Sequence, residues 1–271
     1  MTISDLRKLL DSLDLFPSKK LGQNFLYDQN TLQLIANHAL KDSRGLIIEI
    51  GPGTGALTDY LIKDASCDYI IEYDLRLADY LTEKYKDREL TVIQADAARF
   101  DFDALVKERQ WTCIANLPYA VSTIIIAKLL DLKNKPQSMT FLLQKEMADR
   151  LVANPGSKKY SGLSVKVQSL YNCKIVQKVS PNVFYPKPEV DSALLNMQSN
   201  GQVFADDLWK RLGTVLSIAF GQRRKKALKL LSSCFDADQL VSSFEKLDLS
   251  LDLRAEDISV ENFRKIADDL G

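Results

Sequence analysis

Short apolar or β-branched runs alternate through the first half of the chain with segments whose apolar residues recur at helical spacing. Residues 46–50, 69–73, 91–94, 112–115 and 139–143 have the length and composition of strands. Between them, 57–62, 75–85 and 121–132 carry one apolar stripe each and are expected to be helices. Such alternation predicts an α/β fold with a mostly parallel, doubly wound, Rossmann-like sheet. After a helical stretch at 162–170, two further runs at 174–179 and 193–198 flank a proline-rich loop and are expected to pair as an antiparallel addition at the sheet edge. From about Val203 the pattern is wholly helical, with Leu208, Leu212, Val215 and Leu216 on one stripe and Leu240, Phe244 and Leu247 on another. Gly201 is read as the linker, giving an α/β domain over 1–201 and a small all-helical domain over 202–271. The first twenty residues form an amphipathic extension with Leu6, Leu9, Leu10 and Leu13, ended by Pro17. No internal repeat is evident.

A chain of 271 residues that is 46% hydrophobic buries a core without staples. Cys67, Cys113, Cys173 and Cys234 are scattered, form no CxxC pair and meet only one histidine, His38, which argues against a structural zinc or a disulfide framework. The start carries Asp5, Asp11 and Asp14 without a long apolar core, and the most apolar stretch, 120–132, is too short to span a bilayer and contains Lys128. A soluble, cytoplasmic, monomeric protein is expected. Net charge is zero, yet residues 144–235 hold 15 Lys and Arg against 6 Asp and Glu. A polyanion would meet that basic segment if it gathers on one face, because phosphate neutralisation depends on local clusters.

Two motifs carry candidate chemistry. The first is Glu49-Ile-Gly51-Pro-Gly53-Thr-Gly55, which follows a strand and opens a helix, so that a ligand can approach backbone without meeting Cβ atoms. Read as Gly51-x-Gly53-x-x-Ala56, with Glu72 about twenty residues on, it also fits a dinucleotide fingerprint. A carboxylate at the end of the second strand, Glu72 or alternatively Asp74, suits the vicinal hydroxyls of a ribose in either cofactor. Asp96 after the third strand, placed to accept from an adenine amino group, and Glu49, whose negative charge suits a sulfonium and repels a pyrophosphate, favour S-adenosylmethionine.

The second is Asn116-Leu117-Pro118-Tyr119, at the end of the fourth strand. An exocyclic amine is a poor nucleophile because its lone pair is delocalised into the ring. Two acceptors, the Asn116 side-chain oxygen and the Leu117 carbonyl, would draw its N–H groups out of plane and aim the lone pair at a methyl. Pro118 restricts Leu117 to an extended conformation and so holds that carbonyl. Tyr119 would stack on the base, and Phe184, in Asn182-Val-Phe184-Tyr-Pro186-Lys-Pro188, is the candidate for its other face. Together the motifs indicate methylation of the amino nitrogen of a base.

In family order, the blocks Lys20-Leu-Gly22-Gln23-Asn24-Phe25-Leu26, the glycine loop, Ile71-Glu72-Tyr-Asp74, Gln94-Ala-Asp96-Ala97, Asn116 to Tyr119, Val183-Phe184-x-Pro186-x-Pro188-x-Val-Asp-Ser192 and Phe220-x-Gln-Arg-Arg-Lys225 resemble the small-subunit ribosomal RNA adenine N6,N6-dimethyltransferases of the KsgA (RsmA) type. The resemblance implies a class I methyltransferase sheet, S-adenosylmethionine as cofactor and no metal. It implies that Gln23, Asn24 and Leu26 cover the donor. Glu49, Gly51, Gly53, Gly55 and Asn116 would line the donor site, with Glu72 on the ribose and Asp96 and Ala97 at its adenine. Asn116, Leu117, Tyr119 and Phe184 would handle the target base. The implied substrate is a pair of adjacent adenosines in a hairpin near the 3′ end of small-subunit rRNA, within an immature subunit. Lys158, Lys159, Lys187, Arg223, Arg224, Lys225 and Lys226 would meet RNA. The chain departs from the family pattern at Ser161-Gly162-Leu163, where a Gly-Arg pair is common, and at Lys226-Ala227, where Thr-Leu is usual. Other readings are a resistance-type enzyme acting on large-subunit rRNA and an RNA-binding assembly or transcription factor that has lost catalysis. A DNA amino-methyltransferase fits less well, because Leu117 stands where those enzymes usually carry proline.

Overall fold

The structure is a computed structural model that describes every residue except Met1, 18–22, Asp42, Ala65, Ser66, Tyr119 and Ala120. Lys20, Leu21 and Gly22 of the amino-terminal motif, and Tyr119, therefore lie outside the described residues. In chain order the elements are α1 (Ile3–Ser12), β1 (Phe25–Leu26), α2 (Gln29–Lys41), β2 (Leu46–Ile50), α3 (Thr58–Asp64), β3 (Tyr69–Glu72), α4 (Leu75–Lys84), β4 (Thr91–Gln94), α5 (Phe102–Val106), β5 (Trp111–Asn116) and α6 (Ser122–Asp131). They continue with β6 (Ser138–Gln144), α7 (Lys145–Leu151), α8 (Gly162–Leu170), β7 (Tyr171–Val179), β8 (Phe184–Tyr185), β9 (Ser192–Ser199), α9 (Asp206–Ala219), α10 (Ala227–Leu231), α11 (Ala237–Lys246) and α12 (Val260–Asp269). Two compact units result, one of Met1–Ala148 with Lys174–Gln198 and the other of Asp149–Cys173 with Ser199–Gly271. The sequence reading opens the helical part after Gly201; the second unit begins at Ser199 and also takes in Asp149–Cys173, which a linear reading of composition cannot assign.

The described residues of the sheet lie in the order β4-β3-β2-β5-β6-β9-β7. Pairing is parallel from β4 through β6, with Ile48 opposite Tyr69 on one side of β2 and Cys113 on the other. β9 adds antiparallel to β6, with Leu194 opposite Leu142. The expected fold class is thus borne out. β2 and β5 read as apolar runs rather than alternating ones because both of their faces are buried. Ile47, Ile70, Ile114 and Leu142 of the strands pack with Ile35, Leu61 and Leu81 of the flanking helices into one core. Trp111 closes the base of β5, stacking on Phe102 at 5.7 Å and donating its indole N–H to the Asn134 carbonyl at 2.9 Å.

Periodicity misses one pairing. β1 and β8 form a two-residue antiparallel ladder, Phe25 opposite Tyr185 and Leu26 opposite Phe184. The Tyr27 hydroxyl extends it, donating to the Asn182 carbonyl at 2.8 Å. Against this ladder lies α1, started by a Thr2–Asp5 capping box and packed through Leu6 and Leu10 on Phe25 and Leu77. Arg76 fastens its far end by donating to the Asp14 carbonyl at 2.7 Å.

In the second unit α9 packs against α8, α10 and α12. Of its expected stripe, Leu212, Val215 and Leu216 are buried and Leu208 is half-buried, and Phe244, Phe263 and Ile266 are buried with them. Tyr160, Phe220 and Phe263 form a run of rings with centroids 6.0 and 5.6 Å apart. Among the described residues nothing bonds the buried Tyr160 hydroxyl. No helix among them is long and apolar enough to cross a membrane. An unmet buried hydroxyl destabilises, so Tyr160→Phe is expected to raise stability by about 1 kcal/mol and the unfolding midpoint by about 2–4 °C in calorimetry.

Candidate active site

The chain winds outward from β2 to β3 and β4, then returns to β5 and β6, so the direction of winding reverses between β2 and β5. At such a reversal the connections leaving two neighbouring strands part to opposite faces, and a crevice opens at their carboxyl ends. A pocket of about 330 Å³ lies there, lined by the segments that follow β2, β3, β4 and β5 together with the β1 segment and Phe184.

Gly51 lines the pocket with backbone alone. Its φ of +68° is left-handed, and a Cβ there would face the Asn116 carbonyl oxygen at 4.0 Å, across the pocket floor. Gly53 also lines the pocket, while Gly55 does not. At Gly55, φ is +74° and a Cβ would stand 2.4 Å from the Tyr85 hydroxyl oxygen, so this third glycine serves the packing of the loop against α4.

Glu72 is 6% exposed and held from both sides. Its Oε2 accepts from the Gly53 N–H at 3.0 Å and its Oε1 from the Asp74 N–H at 2.9 Å. Each oxygen keeps a lone pair, so the carboxylate is a fixed bidentate acceptor in the pocket wall. Burial pushes its pKa up, and the backbone N–H groups of Asp74, Gly53 and Tyr73 oppose that. Asp74 is committed elsewhere: it caps α4 by accepting from the Arg76 N–H at 3.0 Å and pairs with the Arg76 guanidinium at 3.2 Å. Of the two carboxylates left open by the sequence, only Glu72 lines the pocket. Asp96 and Ala97 line it after β4, with Asp96 shaped by a turn in which its Oδ1 accepts from the Ala98 N–H at 2.9 Å.

Asn116 lies at the end of β5. Its amide nitrogen donates to the Asn24 carbonyl at 3.3 Å, and among the described residues no donor reaches its Oδ1. Leu117 is buried and its N–H is tied to the Leu142 carbonyl of β6 at 3.2 Å, while Pro118 restricts the backbone that carries the Leu117 carbonyl. Phe184 is buried in the pocket wall, whereas Tyr185 turns toward α1, where the Arg7 guanidinium sits 4.8 Å over its ring. The ladder thus separates two adjacent aromatics that composition alone left equivalent.

Glu49 departs from expectation. It is 1% exposed, its Oε2 accepts from the Thr58 hydroxyl at 2.6 Å, and burial pushes its pKa up to about 8, with Asp59 and Glu72 adding to the rise. The negative charge expected of Glu49 from the sequence is therefore opposed by burial and by the neighbouring carboxylates of Asp59 and Glu72.

The structure thus gathers Gln23, Asn24, Leu26, Glu49, Gly51, Gly53, Glu72, Asp96, Ala97, Asn116, Leu117 and Phe184 around one cavity. Phe25, Tyr73, Leu77 and Ile125 also line it and were not singled out from the sequence. Tyr73 follows Glu72 at the strand end, and that position was the available signal; the others act through apolar surface, which resembles core.

Of the basic residues, Lys187 is exposed in the loop after β8. In the second unit, Arg223 donates to the Lys158 carbonyl at 2.6 Å and to Glu256 at 2.7 Å. Lys159 pairs with Asp149 at 2.6 Å and Lys226 with Asp252 at 2.5 Å. Lys158, Arg224 and Lys225 are exposed and, among the described residues, have no such partner.

The sequence matches the family Ribosomal RNA adenine dimethylase over residues 17–270. The chain belongs to that family. Its relatives include Ribosomal RNA small subunit methyltransferase A of Clostridium botulinum (strain Langeland), 38% identical over 93% of each chain. The protein of that name in Malacoplasma penetrans is 35% identical over 94% of this chain and 92% of its own. Among solved structures, a dimethyladenosine transferase from Plasmodium falciparum superposes with a TM-score of 0.75 at 25% identity, covering 89% of this chain and 95% of that one. The 23S rRNA methyltransferase ErmE shares the fold, with a TM-score of 0.70 at 22% identity over 91% and 99% of the two chains.

Because the folded-state pKa of Glu49, about 8, lies above its ordinary value of 4.5, the unfolded chain ionises first as pH rises, and stability falls between those values before levelling off. Glu49→Gln is expected to remove that loss, leaving the variant more stable than the parent by a few kcal/mol above pH 7, and equal to it near pH 4. Denaturation followed across pH tests this.

Proposed function

We propose that this protein transfers methyl groups from S-adenosylmethionine to N6 of two adjacent adenosines in the 3′-terminal hairpin of small-subunit rRNA, acting as a cytoplasmic monomer on an immature subunit. The names of the relatives support the rRNA and the small subunit. The observation that carries the chemistry is the Asn116 amide, whose nitrogen donates to the Asn24 carbonyl while Asn116 lines the same cavity as Glu72 and Phe184, leaving Oδ1 as the acceptor assigned to the target amine.

The residues fit the donor. Glu72 presents two fixed acceptors for the ribose hydroxyls, Asp96 an acceptor for the adenine amino group, and Gly51 a stretch of backbone without a Cβ. When bound, S-adenosylmethionine supplies an electrophilic methyl on a sulfonium. Asn116 Oδ1 and the Leu117 carbonyl accept the two N–H groups of the target amine and turn its lone pair toward that methyl. Phe184 packs on the base, and Tyr119 is assigned to its other face. The target amine would become cationic as its C–N bond forms and the methyl's bond to sulfur breaks, leaving a neutral thioether, and would then lose its proton to solvent, so no strong base among these residues is required. Most of the acceleration comes from alignment of the reacting atoms. The monomethylated amine retains one N–H and one lone pair, which permits a second round.

Lys158, Lys187, Arg224 and Lys225 are assigned to RNA phosphates, with Lys159, Arg223 and Lys226 adding to the field while held by their own carboxylates.

The reading is tested by incubating the protein with labelled S-adenosylmethionine and immature small subunits, or with large-subunit rRNA, and identifying the methylated nucleoside. Dimethyladenosine in the small subunit is expected; label in large-subunit rRNA would select the resistance-type activity, and tight subunit binding without transfer would select an assembly factor. Asn116→Ala is expected to lower kcat about 100-fold or more while donor affinity changes little. Reversing charge at Arg224 and Lys225 is expected to flatten the dependence of log affinity for RNA on log salt by about 2, with donor binding unchanged.

A further inference from the structure

Behind the glycine loop, on the side away from the cavity, lies a cluster that the chemistry above does not use. Lys84, at the end of α4, reaches the carbonyls of Thr54 and Gly55 at 3.3 and 3.5 Å and pairs with Asp59 of α3 at 2.8 Å. The neighbouring Tyr85 hydroxyl lies 2.9 Å from the Gly55 carbonyl and 2.8 Å from Asp59 Oδ1, and shares its one proton between them. Tyr85 is 4% exposed, and the missing Cβ of Gly55 is what admits its hydroxyl. Thr58, adjacent to Asp59 on the same helix, donates to Glu49. The loop carbonyls, the helix start and the buried carboxyl are thus joined through one ion pair.

We infer that Lys84, Asp59 and Tyr85 are positioning residues for the methyl donor, fixing the glycine loop from behind and setting, through the Lys84–Asp59 pair, the charge that Glu49 offers to the donor's cationic end. This rests on reading the cavity as an S-adenosylmethionine site.

The cluster is placed to do both. Bonds to the Thr54 and Gly55 carbonyls hold the peptide planes that carry the Gly55 and Ala56 N–H groups; the Gly55 N–H donates to the Pro52 carbonyl at 2.9 Å, whose own peptide carries the Gly53 N–H that Glu72 accepts. Charge acts in opposite senses at Glu49: Lys84 favours its ionised form, while Asp59 and Glu72 disfavour it. Thr58 and Tyr85 also face it, as does the buried thiol of Cys67, which Glu49 pushes toward the neutral form. Donor binding requires ionised Glu49 to meet a cation, so affinity rises with pH toward a plateau and each binding event releases part of a proton. The Lys84–Asp59 pair sets where that rise occurs.

The test is calorimetric titration of S-adenosylmethionine into the intact protein across pH, for the parent, Lys84→Met, Asp59→Asn and Tyr85→Phe. Lys84→Met is expected to move the midpoint of the affinity rise upward, and Asp59→Asn downward, each by about 0.5–1 pH unit. Tyr85→Phe is expected to leave the midpoint in place and weaken the donor several-fold, raising its KM while kcat at saturating donor stays within twofold. S-adenosylhomocysteine, whose sulfur is uncharged, is expected to show a smaller rise with pH than the sulfonium donor. Midpoints that stay fixed, or move in the same direction in both charge variants, would overturn the inference, because a merely structural loss has no sign. Should Lys84→Met fail to fold, Asp59→Asn alone retains the test, and Lys84→Arg, which keeps the charge, is expected to retain the parent midpoint. A parent protein that binds no S-adenosylmethionine would instead sink the donor reading itself.

Discussion

The parallel pairing of β2 with β5 is the constraint on which the rest depends. Two strands separated by sixty residues of chain are neighbours in the sheet, and everything between them is wound to one side. Because β2 and β5 then release their following segments in opposite directions, the space above them is left unfilled by backbone. Glycine loop and Asn116 motif meet across that gap because they are the first residues after those two strands. Both faces of the pair are buried, so the carboxyl ends cannot tilt away from each other without opening the core.

Much of this was legible in the sequence. Strands with no polar alternation announce burial on both faces, and the residues following them name the cavity's contents before any coordinate is known. Glu72, at the end of β3, was identifiable for that reason, and Asp96 by its place just after β4, whose end residues are exposed. What could not be read was anything set by two-residue pairings or by desolvation. The β1–β8 ladder is too short to have a period, yet it decides that Phe184 faces the cavity and Tyr185 does not. Glu49 looks from its position like a permanent anion, and only its complete burial beside Thr58 makes it a titrating group. Gly55 belongs by spacing with Gly51 and Gly53, and only the Tyr85 hydroxyl explains it. The helical unit likewise draws in Asp149–Cys173 from a stretch whose composition matches its surroundings.

The basic middle of the chain illustrates a related limit. A count of charges treats Arg223 and Arg224 alike. In the structure the first joins the Lys158 carbonyl to Glu256 and the second extends into solvent. Pairing lowers the net field of a residue and its freedom together, so neighbouring arginines in one motif contribute unequally to a long-range attraction.

The short ladder between β1 and β8 has a mechanical consequence. Asn24, which holds the Asn116 amide, and Phe184, which walls the cavity, are carried on two segments joined by the two pairs of the ladder and by Tyr27, whose hydroxyl and N–H donate to the Asn182 and Val183 carbonyls. The residues proposed to meet the donor and those proposed to meet the base are therefore braced by one small set of pairings that lies outside the seven-stranded sheet.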